Sequence, residues 1–316
     1  MEATNNYVPI RVSTLRGELK IPFNAYVRIA NKHILYCRMG DSFAGDRLAK
    51  LKKKKLKKMF ILDDQETQYR DYLSQSIDMA YDKNSGSSIE SRADVIQGSQ
   101  QASAEEVMEN PEDQAAYKIA KDGTAKYVDF IMSEDAALKS VINIENTDQS
   151  LAHHGVTVAT LALGMAQKLN LDKSHPLNLL TLGALLHDFE LTHLDLDMSK
   201  PRSQFTEEEL AAYKNHPKDG VKRVGTLNHF DQAVTDIIFN HEEFINGSGF
   251  PRGLKEKDLD LFSLITSTAN AYDRLVAFEC IPKTKALKRF MVESMGLHKL
   301  EHMQALKAVL KDNDIL

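Results

Sequence analysis

The sequence predicts a mainly α protein, with an all-α C-terminal helical bundle preceded by a small α+β N-terminal domain. Three observations carry this. Short alternating segments crowd the first 62 residues, helical periodicity dominates the rest, and residues 178–186 are apolar almost all round. Alternation with period 2 marks half-buried strands, period 3.6 marks amphipathic helices, and a helix apolar on every side is a buried one.

In chain order, residues 7–12, 19–23, 25–29 and 33–38 read as short strands separated by Arg-Gly, Asn-Ala and Asn-Lys turns. A helix from about Asp46, a strand over 59–62 and a helix over 65–81 complete a domain spanning residues 1–82. The basic run from Lys50 to Lys58 reads as the solvated face of a helix anchored by Leu48, Leu51 and Leu56. Residues 83–104, rich in Ser, Gly and Gln, read as a linker or a loosely held helix, and 105–145 as connecting helices. Residues 146–316 form the predicted bundle. Its first helix carries Val158, Leu161, Ala162, Met165 and Leu169 on one face, with His154 at its start and His153 facing elsewhere, exposed. The apolar helix over 178–186 ends directly in His187-Asp188. His216-Pro217 is expected at a helix first turn or at the end of the preceding helix, since Pro suits those positions.

Composition narrows the class. A chain of 316 residues accommodates two domains, and a net charge of −5 argues against a DNA partner. Cys37 and Cys280 lie far apart in sequence and imply no disulfide framework. The N-terminus has no signal-peptide pattern, and no apolar run reaches the roughly 18 residues that a membrane helix needs. The expected location is the cytoplasm.

The chemistry concentrates in five segments. They are His154-Gly155-Val156-Thr157-Val158-Ala159, Leu185-Leu186-His187-Asp188, His216-Pro217-Lys218-Asp219-Gly220, the stretch from His241 to Pro251, and Thr268-Ala269-Asn270-Ala271-Tyr272-Asp273-Arg274-Leu275. A carboxylate behind a buried helix is costly unless paired or metal-bound, so His187-Asp188 is a candidate ligand pair. Gly247, Gly249 and Pro251 suit a tight turn that approaches a ligand closely.

In order and type, these segments resemble the HD-GYP family of cyclic-di-GMP phosphodiesterases, over about residues 140–310. That family carries His-Asp, His-Pro-x-x-Gly, His-His-Glu-x-x-Asp-Gly-x-Gly-Tyr-Pro and Val-Ala-Asp-x-x-Asp-Ala-Leu. This chain departs from the pattern at several positions. Glu242 stands at the second His of the pair, Asn246 at the Asp, Phe250 at the signature Tyr, and Asn270 at the ligand Asp. The His-Asp-Ile-Gly-Lys lysine is missing, because the chain reads Phe189-Glu190-Leu191.

The resemblance implies an HD-type bundle holding two divalent ions, iron favoured, manganese or zinc possible. It implies metal ligands at His154, His187, Asp188, His216, His241, Glu242 and Asn270, with Asp188 bridging. His154 and His187 would complete one ion, with Asn270 a weak ligand, and His216, His241 and Glu242 the other. It implies hydrolysis of a phosphodiester by a metal-bridged hydroxide, with Asp188 and Asp273 catalytic, Asp273 a candidate proton donor to the leaving oxygen. Gly247, Gly249, Phe250 and Pro251 would flank the pocket, and Lys283 and Lys285 would supply phosphate contacts. The implied partners are cyclic di-GMP or a related nucleotide and a diguanylate cyclase domain at the loop, while the helices over 105–144 are the expected contact with a second copy of the chain. The replaced residues keep two alternatives open: a weak or inactive module that binds nucleotide or a diguanylate cyclase, and an HD hydrolase for another nucleotide.

Overall fold

The computed structural model describes residues 6–316 except 18, 135, 147–148 and 172–174. It divides into two compact units, with the boundary between Ala102 and Ser103.

The first unit is built on an antiparallel sheet of β1 (Tyr7–Arg11), β2 (Ala25–Ile29), β3 (Lys32–Cys37) and β4 (Lys58–Leu62), in the order β1-β4-β2-β3. Ala30 and Asn31 close the β2–β3 hairpin with positive φ, the conformation two-residue hairpin loops favour. Helices α1 (Arg47–Lys53) and α2 (Glu66–Tyr81), with most of a third helix up to Ala102, complete the unit. Ile10, Phe23, Met59 and Ile61 pack in one core with Leu48 and Leu51, so the basic helix is anchored by its leucines. Residues 19–23 are not a strand. Lys20 makes only an isolated bridge to Ser42, while Ile21 and Phe23 are buried. Their alternation reflects burial without a ladder, and Pro22 has no N–H to give one.

Residues 83–104, expected as a linker or a loosely held helix, are helical from Ile89 onward, within α3 (Ile89–Glu109). Ala93, Ile96 and Ala104 are buried, and Gln97 donates to Gln101 across one turn.

The second unit continues with α4 (Gln114–Ser133), α5 (Ala137–Ile142), α6 (Leu151–Lys168), α7 (Leu177–Leu186), α8 (Glu207–Val224), α9 (Gln232–Asn240), α10 (Leu261–Ala277), α11 (Lys283–Glu293) and α12 (Leu300–Asp312). Its centre is the α6–α7 pair, with α4 against both, α9 on α7, and α10 and α12 on α6. The apolar α7 buries Leu180, Leu182, Leu185 and Leu186, each worth about 1.5–3 kcal/mol. Gly155 lets α6 approach α7: a Cβ there would lie 2.3 Å from the carbonyl oxygen of Leu185. That contact sits one residue from His154 and two from His187.

Helix starts are capped as their sequences allow. Ser150 accepts from His153 N, Asp260 from Ser263 N, and Thr206 forms a reciprocal capping box with Glu209. His153 is buried, not exposed, and its Nε2 lies 3.2 Å from the Ile144 carbonyl oxygen. Pro217 lies inside α8, not at a helix end. A mid-helix proline leaves the carbonyl four residues back without its N–H. Here that carbonyl belongs to Tyr213, and His216 Nδ1 lies 2.6 Å from it. The ring at the ligand position replaces the donor that the helix lacks.

Candidate metal centre

Five elements converge in the second unit. His154 comes from the first turn of α6, His187 and Asp188 from the end of α7, His216 from mid-α8, His241 and Glu242 from the end of α9, and Asn270 from α10. All seven side chains are buried.

Each imidazole is fixed from behind. Nδ1 of His154 lies 2.7 Å from Asp273 Oδ2, and those of His187, His216 and His241 lie 2.7, 2.6 and 2.9 Å from the carbonyl oxygens of Ala184, Tyr213 and Ile238. Such partners only accept, so every Nδ1 donates. In the neutral ring this leaves the Nε2 lone pair free, the form that ligates a metal.

Those four lone pairs converge on Asp188. His154 and His187 Nε2 lie 3.7 and 3.4 Å from its Oδ2, and His216 and His241 Nε2 lie 3.2 and 3.1 Å from its Oδ1. The Nε2 atoms of His216 and His241 face each other at 3.0 Å. Three acceptors around one point repel unless a cation lies among them. Neither carboxylate oxygen of Asp188 has a hydrogen-bond donor, nor does Nε2 of His187. The residues therefore group as two trios that share Asp188, His154-His187-Asp188 and Asp188-His216-His241, and both fit a divalent ion. Burial opposes the charge of Asp188, yet His187 beside it holds the carboxyl well below the ordinary range. Burial keeps His241 below its usual value. For His187 burial acts the same way, but Asp188 outweighs it and raises the pKa, and a cation at Nε2 competes for that position.

Glu242 lies beside the second trio and outside it. It accepts from the Tyr213 hydroxyl, from Arg202 at 3.3 Å and from Asn270 Nδ2 at 3.4 Å. Burial would raise its pKa, but Arg202 leads a set of nearby positive groups that bring it down to about 2. Asn270 turns its Oδ1 to His154 Nε2 at 3.1 Å, so oxygen and nitrogen lone pairs face the same point.

The other expected residues sort clearly. Asp273, the expected proton donor, engages His154 through the nitrogen facing away from Asp188 and so positions that ring. Lys283 is not free for phosphate: it donates to the Ile142 carbonyl and to Asn143 Oδ1. Lys285 is exposed, with no side-chain partner among the described contacts. The loop does flank the centre. Gly249 packs on the Glu242–Phe244 backbone, where a Cβ would meet atoms at 2.4–2.6 Å, and Phe250 N donates to the Glu242 carbonyl at 3.1 Å. Gly247 has a φ of +82°. Phe250 and the cis Phe250-Pro251 bond follow, with the Phe250 ring edge-on to Tyr213 at 5.8 Å. Glu243 ties the loop down, accepting from Arg252 N and Leu254 N at 2.6 and 2.9 Å.

At the position of the missing lysine, Leu191 is buried in an apolar cluster with Tyr213 and Phe278, and Glu190 pairs with Arg223. Sequence reasoning did not reach Tyr213, Arg202 and Arg274. The spacing of Tyr213 three residues before His216 on one helix was an available signal, as was Arg274 standing at the Ala of the resembled pattern. Nothing in the sequence marked Arg202.

Comparison with known proteins agrees with this geometry. A family model described as HD domain matches residues 138–303. Bd1817, described as an HDG"Y"P protein from Bdellovibrio bacteriovorus, is a solved structure 53% identical to this chain. It covers 97% of this chain, the chain covers 100% of it, and the TM-score is 0.92. Cyclic di-GMP phosphodiesterase PA4108 of Pseudomonas aeruginosa is 26% identical over 149 residues, 46% of this chain and 35% of that protein. The cyclic di-GMP phosphodiesterase of Thermotoga maritima is 27% identical over 199 residues, 61% of this chain and 52% of that one. The chain thus spans about a third to a half of the length of these curated relatives.

Proposed function

We propose, for a chain that belongs to the HD domain family and within it to the HD-GYP group, metal-dependent hydrolysis of a phosphodiester in cyclic di-GMP. The observation that carries this is the convergence of four Nε2 lone pairs on the buried Asp188. The names of the matched relatives supply the substrate class.

His154, His187 and Asp188 would hold one ion and Asp188, His216 and His241 the other, with Asn270 and Glu242 at their margins. We favour iron; manganese and zinc suit the same nitrogen and oxygen donors. A bound pair would supply an activated water and neutralise phosphate charge. The protein's own part is positional. Asp273 and three backbone carbonyls fix the rings, and the Glu242–Tyr213–Arg202 network holds the opposite rim.

The first unit serves as a regulatory domain, a diguanylate cyclase domain is the partner suited to the loop after Glu243, and a second copy of the chain is the partner suited to the helices over 105–144. No helix among the described residues is long and apolar enough to cross a membrane. Two free thiols, Cys37 and Cys280, fit a reducing cytoplasm.

The test is turnover of cyclic di-GMP by anaerobically purified protein loaded with iron(II) or manganese(II). Linear dinucleotide or GMP, absent with His187→Ala, is the expected result. No product from protein confirmed to hold metal would overturn the reading.

A further inference from the structure

Arg274 is an anomaly of this site. It lies on α10, one turn after Asn270 and next to Asp273, and is 2% exposed. Its Nη1 and Nη2 have no hydrogen-bond partner. A buried guanidinium is strongly disfavoured unless its donors are paired. Its Cζ lies 5.1 Å from the Tyr213 ring centroid and 5.9 Å from that of Phe278, so cation–π contacts hold the group in place while leaving its fork unused. A second guanidinium reaches the same ring: Arg202 Cζ lies 4.9 Å from the Tyr213 centroid, on a side chain 32% exposed. The Tyr213 hydroxyl meets Glu242, beside the second trio, so both cations stand next to the metal centre.

Charge points the same way. Among these groups Asp188, Glu242 and Asp273 are acidic and Arg202 and Arg274 basic, so two divalent ions, once bound, would leave the centre net positive. A planar fork with free N–H groups in such a field suits a tetrahedral oxyanion.

We propose that Arg274 and Arg202 form a phosphate subsite on the Tyr213 side of the centre, with Arg274 as the buried donor to the non-bridging oxygens of a phosphoester. This rests on the phosphodiesterase reading above and deepens it. The arginines place a phosphate charge where the sequence supplies Leu191 and no lysine.

The experiment titrates full-length manganese-loaded protein with orthophosphate by calorimetry, with metal content and thermal midpoint measured on the same samples. The variants are Arg274→Met, Arg274→Lys and Arg202→Gln. Arg274→Met is expected to bind orthophosphate about 10- to 100-fold more weakly. Its metal content should match wild type and its thermal midpoint should be equal or higher, since a buried unpaired charge is gone. Arg274→Lys should recover part of the affinity, and Arg202→Gln should lose less than Arg274→Met. If Arg274→Met does not fold, unchanged affinity in both other variants overturns the subsite. So does wild-type affinity in Arg274→Met, or metal-loaded wild type that fails to bind orthophosphate. Cyclic di-GMP turnover on the same preparations separates the two readings. Turnover with phosphate binding indifferent to Arg274 removes the subsite alone. Phosphate binding that depends on Arg274 without turnover supports the subsite and removes the hydrolase.

Discussion

Behind His154 stands a carboxylate, Asp273, whereas behind His216 and His241 stand backbone carbonyls. The two halves of the centre share Asp188 and differ in this support. An anionic partner makes the imidazole more basic and strengthens its bond to a metal, while a carbonyl mainly fixes orientation. The second half has an extra carboxylate within reach, Glu242, but Arg202, Tyr213 and Asn270 engage it. Similar donor sets are therefore unequal sites. The first half is strengthened by charge, and the second is set by backbone geometry and tempered by a cation.

The comparison can be broken at its shared member. Asp188→Ala should empty both halves and lower turnover by at least about 100-fold, beyond the usual range for a residue supporting a ligand. Turnover above a tenth of wild type would mean that Asp188 is not the hub.

Asp273→Asn should act on one half only. It keeps shape and removes the charge behind His154, so one ion should bind about 10- to 100-fold more weakly while the other is unchanged. Equal weakening of both ions in a metal titration would erase the distinction between the halves.

Pro217→Ala probes the other half more gently. It restores an N–H that competes with His216 Nδ1 for the Tyr213 carbonyl. Carbonyls have two lone pairs, so the loss of metal affinity should be at most about 10-fold. The helix should gain up to about 3 kcal/mol, read from denaturant unfolding. A variant less stable than wild type would show that Pro217 does more than free a carbonyl.

The smallest effect on either half should come from His298, which is buried beside Phe244 and Phe290 and whose pKa burial brings down to about 4. The fold keeps this ring neutral, while the unfolded chain protonates it near pH 6.5. Its share of stability is thus complete above pH 6.5 and is lost as pH falls toward 4, at most about 3 kcal/mol. His298→Gln should flatten the stability profile over that window and leave metal content alone. An unchanged profile would place the acid sensitivity elsewhere.

Much of the site was legible because its signals are local. An apolar helix ending in His-Asp follows from periodicity, the wider ligand set follows from the resemblance of five ordered segments to one family, and the structure brings His154, His187, Asp188, His216 and His241 together. What escaped depended on distant partners. Pro217 suggested a helix boundary, and only the His216–Tyr213 contact shows how an interior proline is tolerated. The Ser, Gly and Gln of residues 83–104 suggested a linker or a loosely held helix, yet the helix there is anchored, with Ala93 and Ile96 buried and Gln97 and Gln101 bonded to each other. Lys283 carried the right charge for phosphate but is spent on Ile142 and Asn143, over a hundred positions away in sequence. The burial of Arg274 against Tyr213 comes from packing between helices, which no local pattern encodes.

The most direct measurement is an anaerobic manganese(II) titration of metal-stripped full-length protein, with bound ions counted by native mass spectrometry. Two ions per chain, bound in separate steps with the tighter one weakened about 10- to 100-fold in Asp273→Asn, is the predicted result. A chain that binds none, or a single ion requiring all four histidines, would contradict the account.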